Sequence, residues 1–123
     1  MDPIHIQTGK LGENIAQEFL KNLGYEIIAT NWRYKNHHEI DILIREDVNT
    51  LIAVEVRSLN KIGSIGPLDS ISKTKIKQIK DALNIYVLAN RLTNLTLRVD
   101  VIAIVIETKD IEHFKSVDQL FEL

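Results

Sequence analysis

The chain has 123 residues, 45% of them hydrophobic, and its 15 Lys and Arg against 17 Asp and Glu give a formal net charge of −2. This length fits a single domain over 1–123, the composition excludes wholesale disorder, and the overall charge by itself argues against a nucleic-acid-binding protein. The absence of cysteine excludes disulfide frameworks, thiolate metal sites and thiol nucleophiles. The sequence has no long apolar run and no signal-peptide pattern, so we expect a cytoplasmic, unprocessed protein with no membrane partner.

An amphipathic helix is the first predicted element. Thr8 suits its N-cap position and Gly24 suits its C′ position. The apolar residues between them keep to one face at the helical period: Leu11, Ile15, Ala16, Phe19, Leu20 and Leu23. Residues 25–33 then predict a strand, because an apolar and aromatic run is bounded by Gly24 and by polar residues.

Two further strands, over 39–45 and 51–57, are joined by the short polar link 46–50, which indicates an antiparallel hairpin. Because side chains alternate along a strand, one face of the first strand carries Glu39, Asp41 and Leu43, and the other carries Ile40, Ile42 and Ile44.

A turn centred on Val48 places Asp41 opposite Glu55 and Glu39 opposite Arg57. Directly opposed carboxylates repel each other, and a divalent metal held by these oxygens would offset the repulsion. The residues alone leave two alternatives open. One acid can pair with a cation such as Arg57 or Lys75, or the register can slip by two residues.

The remaining elements complete one mixed α/β domain with the order α-β-β-β-α-β and a short C-terminal element. Residues 58–70 are predicted to form a loop long enough to suggest a function. Ser72 is the predicted N-cap of a second helix that ends near Asn90. Its predicted core stripe is Ile76, Ile79, Leu83, Tyr86 and Val87. Residues 97–106 predict a strand whose apolar run 101–106 is buried on both faces, and residues 111–123 predict either a strand or a helix.

The basic residues are concentrated between the hairpin and the second helix. Residues 57–80 hold six Lys and Arg against one Asp. Candidate nucleic-acid contacts are Arg33 and four lysines of the second helix, Lys73, Lys75, Lys77 and Lys80, of which Lys75 lies away from the other three lysines around the helix. Arg33 lies between Trp32 and Tyr34, aromatic residues that serve either as base-stacking platforms or as core. His37 could join Glu39 and Asp41 in a transition-metal site.

Short motifs run in order from residue 9 to about residue 102. They are Gly9-Lys10-Leu11-Gly12-Glu13, Gly24-Tyr25, Asn31-Trp32-Arg33, Glu39-Ile40-Asp41, Val54-Glu55-Val56-Arg57, Ile71-Ser72 with Lys75, and Arg98-Val99-Asp100-Val101-Ile102. Together they resemble the YraN family of small bacterial restriction-endonuclease-like proteins.

This resemblance implies the PD-(D/E)xK nuclease fold, a mixed sheet flanked by helices, as in archaeal Holliday-junction resolvases. It also implies Mg²⁺ or Mn²⁺ bound by Asp41 and Glu55, with the backbone carbonyl of Val56 and the carboxylate of Glu13 as further ligands. Lys75 would face the phosphates. The implied substrate is DNA, including branched or flapped DNA, and a homodimer is left open.

The sequence departs from the family pattern at two positions. His38 occupies the position of a glycine, and Arg57 occupies the position of the motif lysine. Arginine cannot act as a general base, but its guanidinium can hold phosphate oxygens. Two hypotheses follow: a metal-dependent nuclease in which Arg57 offsets developing charge, or a catalytically degenerate module that keeps the fold and binds nucleic acid or another partner.

Overall fold

The computed structural model describes residues 3–59 and 71–123 of the chain. Its elements in chain order are helix α1 (Pro3–Asn22), strands β1 (Glu26–Tyr34), β2 (His38–Asp47) and β3 (Thr50–Leu59), helix α2 (Lys73–Ala89), strands β4 (Thr96–Val105) and β5 (Asp110–Phe114), and helix α3 (Val117–Leu120). The strands form one five-stranded sheet in the order β1-β2-β3-β4-β5. Strands β3 and β4 are parallel and the other neighbours are antiparallel. The predicted mixed α/β fold is therefore confirmed.

Two apolar clusters cover the two faces of this sheet. The cluster beneath α1 contains Ala16, Leu20, Ile42, Ile44, Ile52, Val54, Ile102 and Ile104. The cluster beneath α2 contains Leu43, Leu51, Ala53, Ile76, Ile79, Ala82, Leu83, Val99 and Val101. Successive residues of β4 enter opposite clusters, as expected for a strand that is covered by helices on both faces. No helix within the described ranges is long and apolar enough to cross a lipid bilayer.

Several element boundaries differ from the sequence prediction. Helix α1 begins at Pro3 instead of at a cap on Thr8, since proline suits the first helical turn, where its missing N–H is not needed. The link between β2 and β3 shortens to two residues because Asp47 pairs with Thr50, and an Asp47 Oδ1 acceptor 2.8 Å from the Asn49 N–H stabilises this turn. The C-terminal residues form both a strand and a short helix. Most of the predicted loop, residues 60–70, lies outside the described residues.

The predicted alternation of β2 is wrong at Ile40. This side chain packs in the α2-side cluster, whereas Ile42 and Ile44 pack in the α1-side cluster. The described pairing of β2 with β3 extends only as far as Ile42 and Val54. Strand β2 therefore changes its orientation at Asp41, the residue between the two clusters.

A buried carboxylate, Asp100, joins β5 and the C-terminal segment to the sheet. Its side chain is fully buried and accepts hydrogen bonds from the Arg98 guanidinium at 3.0 and 3.1 Å and from the Ser116 N–H at 3.0 Å. His113 Nε2 lies 2.8 Å from Asp100 Oδ2, which also accepts one of the two Arg98 hydrogen bonds. Burial alone would raise the pKa of Asp100, but the hydrogen bonds from His113, Arg98 and Ser116 outweigh burial and lower it.

We expect Asp100→Asn to lower the free energy of unfolding at pH 7 by about 2 to 4 kcal/mol, because it leaves buried donors without a charged acceptor. The native pKa of Asp100 lies below that of the unfolded chain, so the stabilisation is present above about pH 4 and is lost as pH falls through the native pKa. Urea unfolding of parent and variant at pH 7 and pH 3 measures both effects. The exposed Glu112→Gln serves as the control, and a deficit of equal size at both pH values would contradict the prediction.

Candidate functional site

The predicted register of the β2–β3 hairpin is confirmed. Ile42 pairs with Val54 and Ile44 with Ile52, and Asp41 and Glu55 follow directly beyond the last described pair. The Val56 N–H donates to Asp41 Oδ2 at 3.0 Å, so a side-chain oxygen takes the hydrogen bond where the strands separate. Asp41 and Glu55 are close enough to share a hydrogen bond.

Glu55 is a buried carboxyl group in an acidic environment. Only 8% of the residue is exposed. Burial, the hydrogen bond with Asp41 and the negative charge of Asp41 raise the pKa of Glu55 to about 8. The Lys75 Nζ lies 3.7 Å from Glu55 Oε2, and Lys75 and Arg57 only partly oppose this effect. Lys75 is therefore the neighbouring cation that the sequence left open as an alternative. Its charge does not outweigh burial and Asp41, so the pKa of Glu55 stays raised.

Helix α1 brings a third carboxylate towards this pair. Gly12 lets the helix approach the end of β3, because a Cβ at that position would overlap the Ser58 side chain. Burial raises the pKa of the next residue, Glu13, as does the charge of Asp41, and a hydrogen bond from Asn31 opposes the rise. Glu13 therefore lies within electrostatic reach of Asp41, and its implied role as a metal ligand stays a prediction.

Asn31 is a site residue that the sequence reasoning missed. Its backbone has a φ of 51°, in the left-handed region that asparagine tolerates better than most residues. This conformation occurs in β1, where the side chain reaches Glu13. The available signal was its position in the Asn31-Trp32-Arg33 motif.

Arg57 lies beside Glu55 and has an unused donor. Its positive charge lowers the pKa of Glu55, and its buried Nε has no hydrogen-bond acceptor among the residues that the structure describes. The predicted partner of Arg57, Glu39, instead pairs with Arg33 across β1 and β2, with Arg33 Nη2 3.4 Å from Glu39 Oε1. The Arg57 Nε–H can therefore donate a hydrogen bond to an acceptor outside the described residues.

The four lysines of α2 have different surroundings. Lys75 faces Glu55, and Lys73 is exposed. Lys77 pairs with Asp81 at 3.0 Å on the exposed helix surface. Lys80 is directed to the buried Asp118, with an Nζ to Oδ2 distance of 2.6 Å and a side chain that is 20% exposed. Asp118 lies in α3 and also accepts the Val99 N–H of β4 at 3.0 Å. Lys80 therefore pairs with a carboxylate that joins the C-terminal helix to the sheet.

Lys80 and Lys73 provide a matched test of these surroundings. We expect Lys80→Met to lower the free energy of unfolding by about 1 to 3 kcal/mol, because Asp118 would be left buried without its cation. Lys73→Met should leave stability unchanged within about 0.5 kcal/mol, as is usual for surface substitutions. Urea unfolding at pH 7 measures both variants, and equal stability of the two would contradict the structural assignment of Lys80.

Trp32 and His37 are the aromatic and the imidazole candidates that the sequence suggested for the site. Trp32 packs edge-to-face on Tyr86, with ring centroids 5.5 Å apart, and it contacts the α2-side cluster. Within the described residues, no three His, Asp or Glu side chains converge on a ready-made metal site. The His37 hypothesis therefore has no support from the geometry. Two carboxylates still fit Mg²⁺, which commonly takes one or two carboxylates and keeps several water ligands.

Comparison with known proteins places this chain among proteins of the same size. The sequence model of the uncharacterised protein family UPF0102, also named YraN, matches residues 12–104. A UPF0102 protein of Flavobacterium psychrophilum is 40% identical over 113 residues, which cover 90% of this chain and 92% of that protein. UPF0102 proteins of Acetivibrio thermocellus and Lawsonia intracellularis are 38% and 34% identical, over 85% and 95% of this chain and 82% and 89% of their own lengths.

Proposed function

The chain belongs to the uncharacterised protein family UPF0102, and we propose that it is a divalent-metal-dependent nuclease that hydrolyses phosphodiester bonds in DNA on a PD-(D/E)xK core. One observation carries the proposal: Asp41 and Glu55 lie side by side where β2 and β3 separate, and Glu55 is buried. Two adjacent carboxylates in such a place destabilise the protein unless a cation or a proton offsets them.

The proposal assigns a role to each surrounding residue. Asp41 and Glu55 would hold Mg²⁺ or Mn²⁺, with the Val56 carbonyl as a further ligand, and the Val56 N–H orients Asp41. Glu13 would orient the water shell of the metal. A bound Mg²⁺ would supply Lewis acidity at a phosphoryl oxygen and lower the pKa of a water ligand.

The cations next to the carboxylates would stabilise charge on the phosphate during hydrolysis, which adds water across a P–O bond. The Arg57 Nε, which has no acceptor among residues 3–59 and 71–123, suits a phosphate oxygen, and charge-assisted hydrogen bonds of this kind are strong. The Lys75 Nζ lies 3.7 Å from Glu55 Oε2 and the lysine side chain is 38% exposed, so it can reach a bound phosphate. Neither residue needs to act as a base in this scheme.

A second function is favoured by one specific residue, Arg57. If catalysis in this fold requires a lysine that can lose its proton, the arginine makes the chain a degenerate module that binds nucleic acid or another partner. The same carboxylates would then affect binding and stability without supporting hydrolysis.

Incubation of the protein with end-labelled duplex, single-stranded and four-way-junction DNA, in Mg²⁺ and in Mn²⁺, separates these functions. We expect metal-dependent cleavage of at least one substrate and none in EDTA. Binding without cleavage in low salt, where phosphate contacts are strongest, would favour the degenerate module. Failure to bind or cleave any of the DNAs would contradict both functions.

A further inference from the structure

The loop between β1 and β2 lies at the same end of the sheet as the candidate metal site. Tyr34 pairs with His38, which closes this loop with three residues, and Asp41 follows three residues further along β2. Three residues of a strand span about 10 Å, a length comparable with that of two or three stacked nucleotides. We name residues 33–38 the hairpin tip.

The two strands that carry the hairpin tip also form one side of the site. Asn31 of β1 hydrogen-bonds to Glu13, and the charge of Glu39 of β2 acts on the same carboxyl group. A DNA strand with a phosphate at Asp41 and Glu55 would therefore have a neighbouring nucleotide within reach of the hairpin tip.

The hairpin tip combines an exposed aromatic ring with two cations. Tyr34 is 42% exposed, and the Lys35 Nζ lies 5.3 Å from the centroid of its ring. Arg33 has a side chain that is 71% exposed and a 3.4 Å contact with Glu39, and surface ion pairs of this kind are weak enough to exchange for a phosphate. Aromatic rings flanked by cations are the usual platform for an unstacked base.

The β2–β3 turn is also exposed, but it lacks the aromatic ring and the cations of the hairpin tip. Val48, at the β2–β3 turn, is 76% exposed but follows the acidic residues Glu46 and Asp47. That turn would repel phosphate, and it lies at the opposite end of β2 from Asp41. Of these two hairpins, only the one beside the candidate metal site has charge complementary to DNA.

From this arrangement we infer that the hairpin tip binds an unpaired nucleotide of DNA next to the phosphate that is cut, with its base stacked on Tyr34 and its phosphates held by Arg33 and Lys35. Both faces of an internal base in continuous duplex are already stacked, so Tyr34 gains a partner only at a fork, flap, junction or single strand. The inference rests on the proposed nuclease function and specifies its substrate class.

Fluorescence anisotropy with labelled forked DNA and with a duplex of the same length tests the inference. The Asp41→Asn background prevents cleavage in every sample. We expect Tyr34→Ala to weaken binding of the fork about tenfold or more, the usual effect of losing one stacked base, and to change duplex binding less than about twofold. Tyr34→Phe should bind as the parent does because it keeps the ring.

A second readout reports stacking directly. A 2-aminopurine base at the unpaired position next to the fork should be quenched by the parent and by Tyr34→Phe but not by Tyr34→Ala. Tyr34→Leu keeps apolar bulk without a π-face and should behave as Tyr34→Ala does, which preserves the test if the alanine variant folds poorly. Val48→Ala is the matched control at the other hairpin and should change neither measurement.

Two results would overturn the inference: a Tyr34→Ala variant that binds the fork as the parent does, or one that loses fork and duplex binding equally. These results differ from failure of the proposed function. If the parent protein cuts DNA without preferring unpaired bases, only the hairpin-tip inference fails. If the parent neither binds nor cuts any DNA, the nuclease proposal itself fails.

Discussion

Asp41→Asn is expected to abolish DNA cleavage, with a loss of about 100-fold or more in the rate under single-turnover conditions in Mn²⁺. The substitution keeps the shape of the side chain and an oxygen that can accept the Val56 N–H, whose distance to Oδ2 is 3.0 Å in the parent. It removes the negative charge that a divalent metal requires. The control is Asp81→Asn on α2, whose parent side chain is 42% exposed, and it should cleave as the parent does. Cleavage that survives Asp41→Asn would refute the assigned site.

Arg57 variants distinguish a catalytic role of its charge from a role as a base. Arg57→Met should lower the cleavage rate about 100-fold, because the guanidinium would no longer offset the developing charge on the phosphate and Lys75 alone would remain. Arg57→Lys keeps a positive charge and should cleave within about tenfold of the parent. Cleavage that appears only in Arg57→Lys would establish the degenerate function for the natural chain.

Glu55→Gln is expected to have opposite effects on stability and on metal binding. In the parent without metal, the raised pKa means that the native state binds a proton more tightly than the unfolded chain does. This contribution to stability is present below the unfolded pKa near 4.5 and is lost as pH rises through about 8. At pH 8.5 in EDTA, Glu55→Gln should therefore be more stable than the parent by about 1 to 3 kcal/mol.

Added Mn²⁺ should act in the opposite direction and stabilise the parent but not Glu55→Gln. A ligand at 100 times its Kd stabilises the native state by about 2.7 kcal/mol, so we expect the melting temperature of the parent to rise by about 5 to 15 °C. The melting temperature of Glu55→Gln should not respond to Mn²⁺. Calorimetric titration of Mn²⁺ into both proteins, with the exposed Glu107→Gln as control, measures binding independently of cleavage. Equal binding by the parent and Glu55→Gln would exclude Glu55 as a ligand.

The β2–β3 hairpin shows why local prediction succeeded at the centre of the site. Alternation along each strand and a short polar turn favour one register without distant contacts, so spacing predicted that Asp41 and Glu55 would lie together, with a slip of two residues as the open alternative. The same alternation failed at Ile40, because β2 changes its orientation at Asp41. A period-two pattern carries no information about where neighbouring strands separate.

The α2 lysines show what local prediction could not reach, namely the partner of each charged side chain. Their spacing and the cap at Ser72 predicted the helix correctly, and the cap is confirmed by the Lys75 N–H that donates to Ser72 Oγ at 3.0 Å. Their spacing could not predict that Lys80 would be directed to Asp118, 38 residues later in the chain, whereas Lys75 would approach Glu55.

By itself the sequence determined the order of the elements through residue 106 and the family, and it favoured the hairpin register that the structure has, since these depend on local periodicity, turns and ordered motifs. Only the tertiary structure decided the surroundings of each charged group: the burial of Glu55, the approach of Glu13 and Asn31, the buried partner of Lys80, and the exposed Tyr34 beside the core-packed Trp32. The physical reason is that burial and long-range pairing depend on which elements pack together. The same lysine or tyrosine can lie in the core or in solvent without any change in its local pattern.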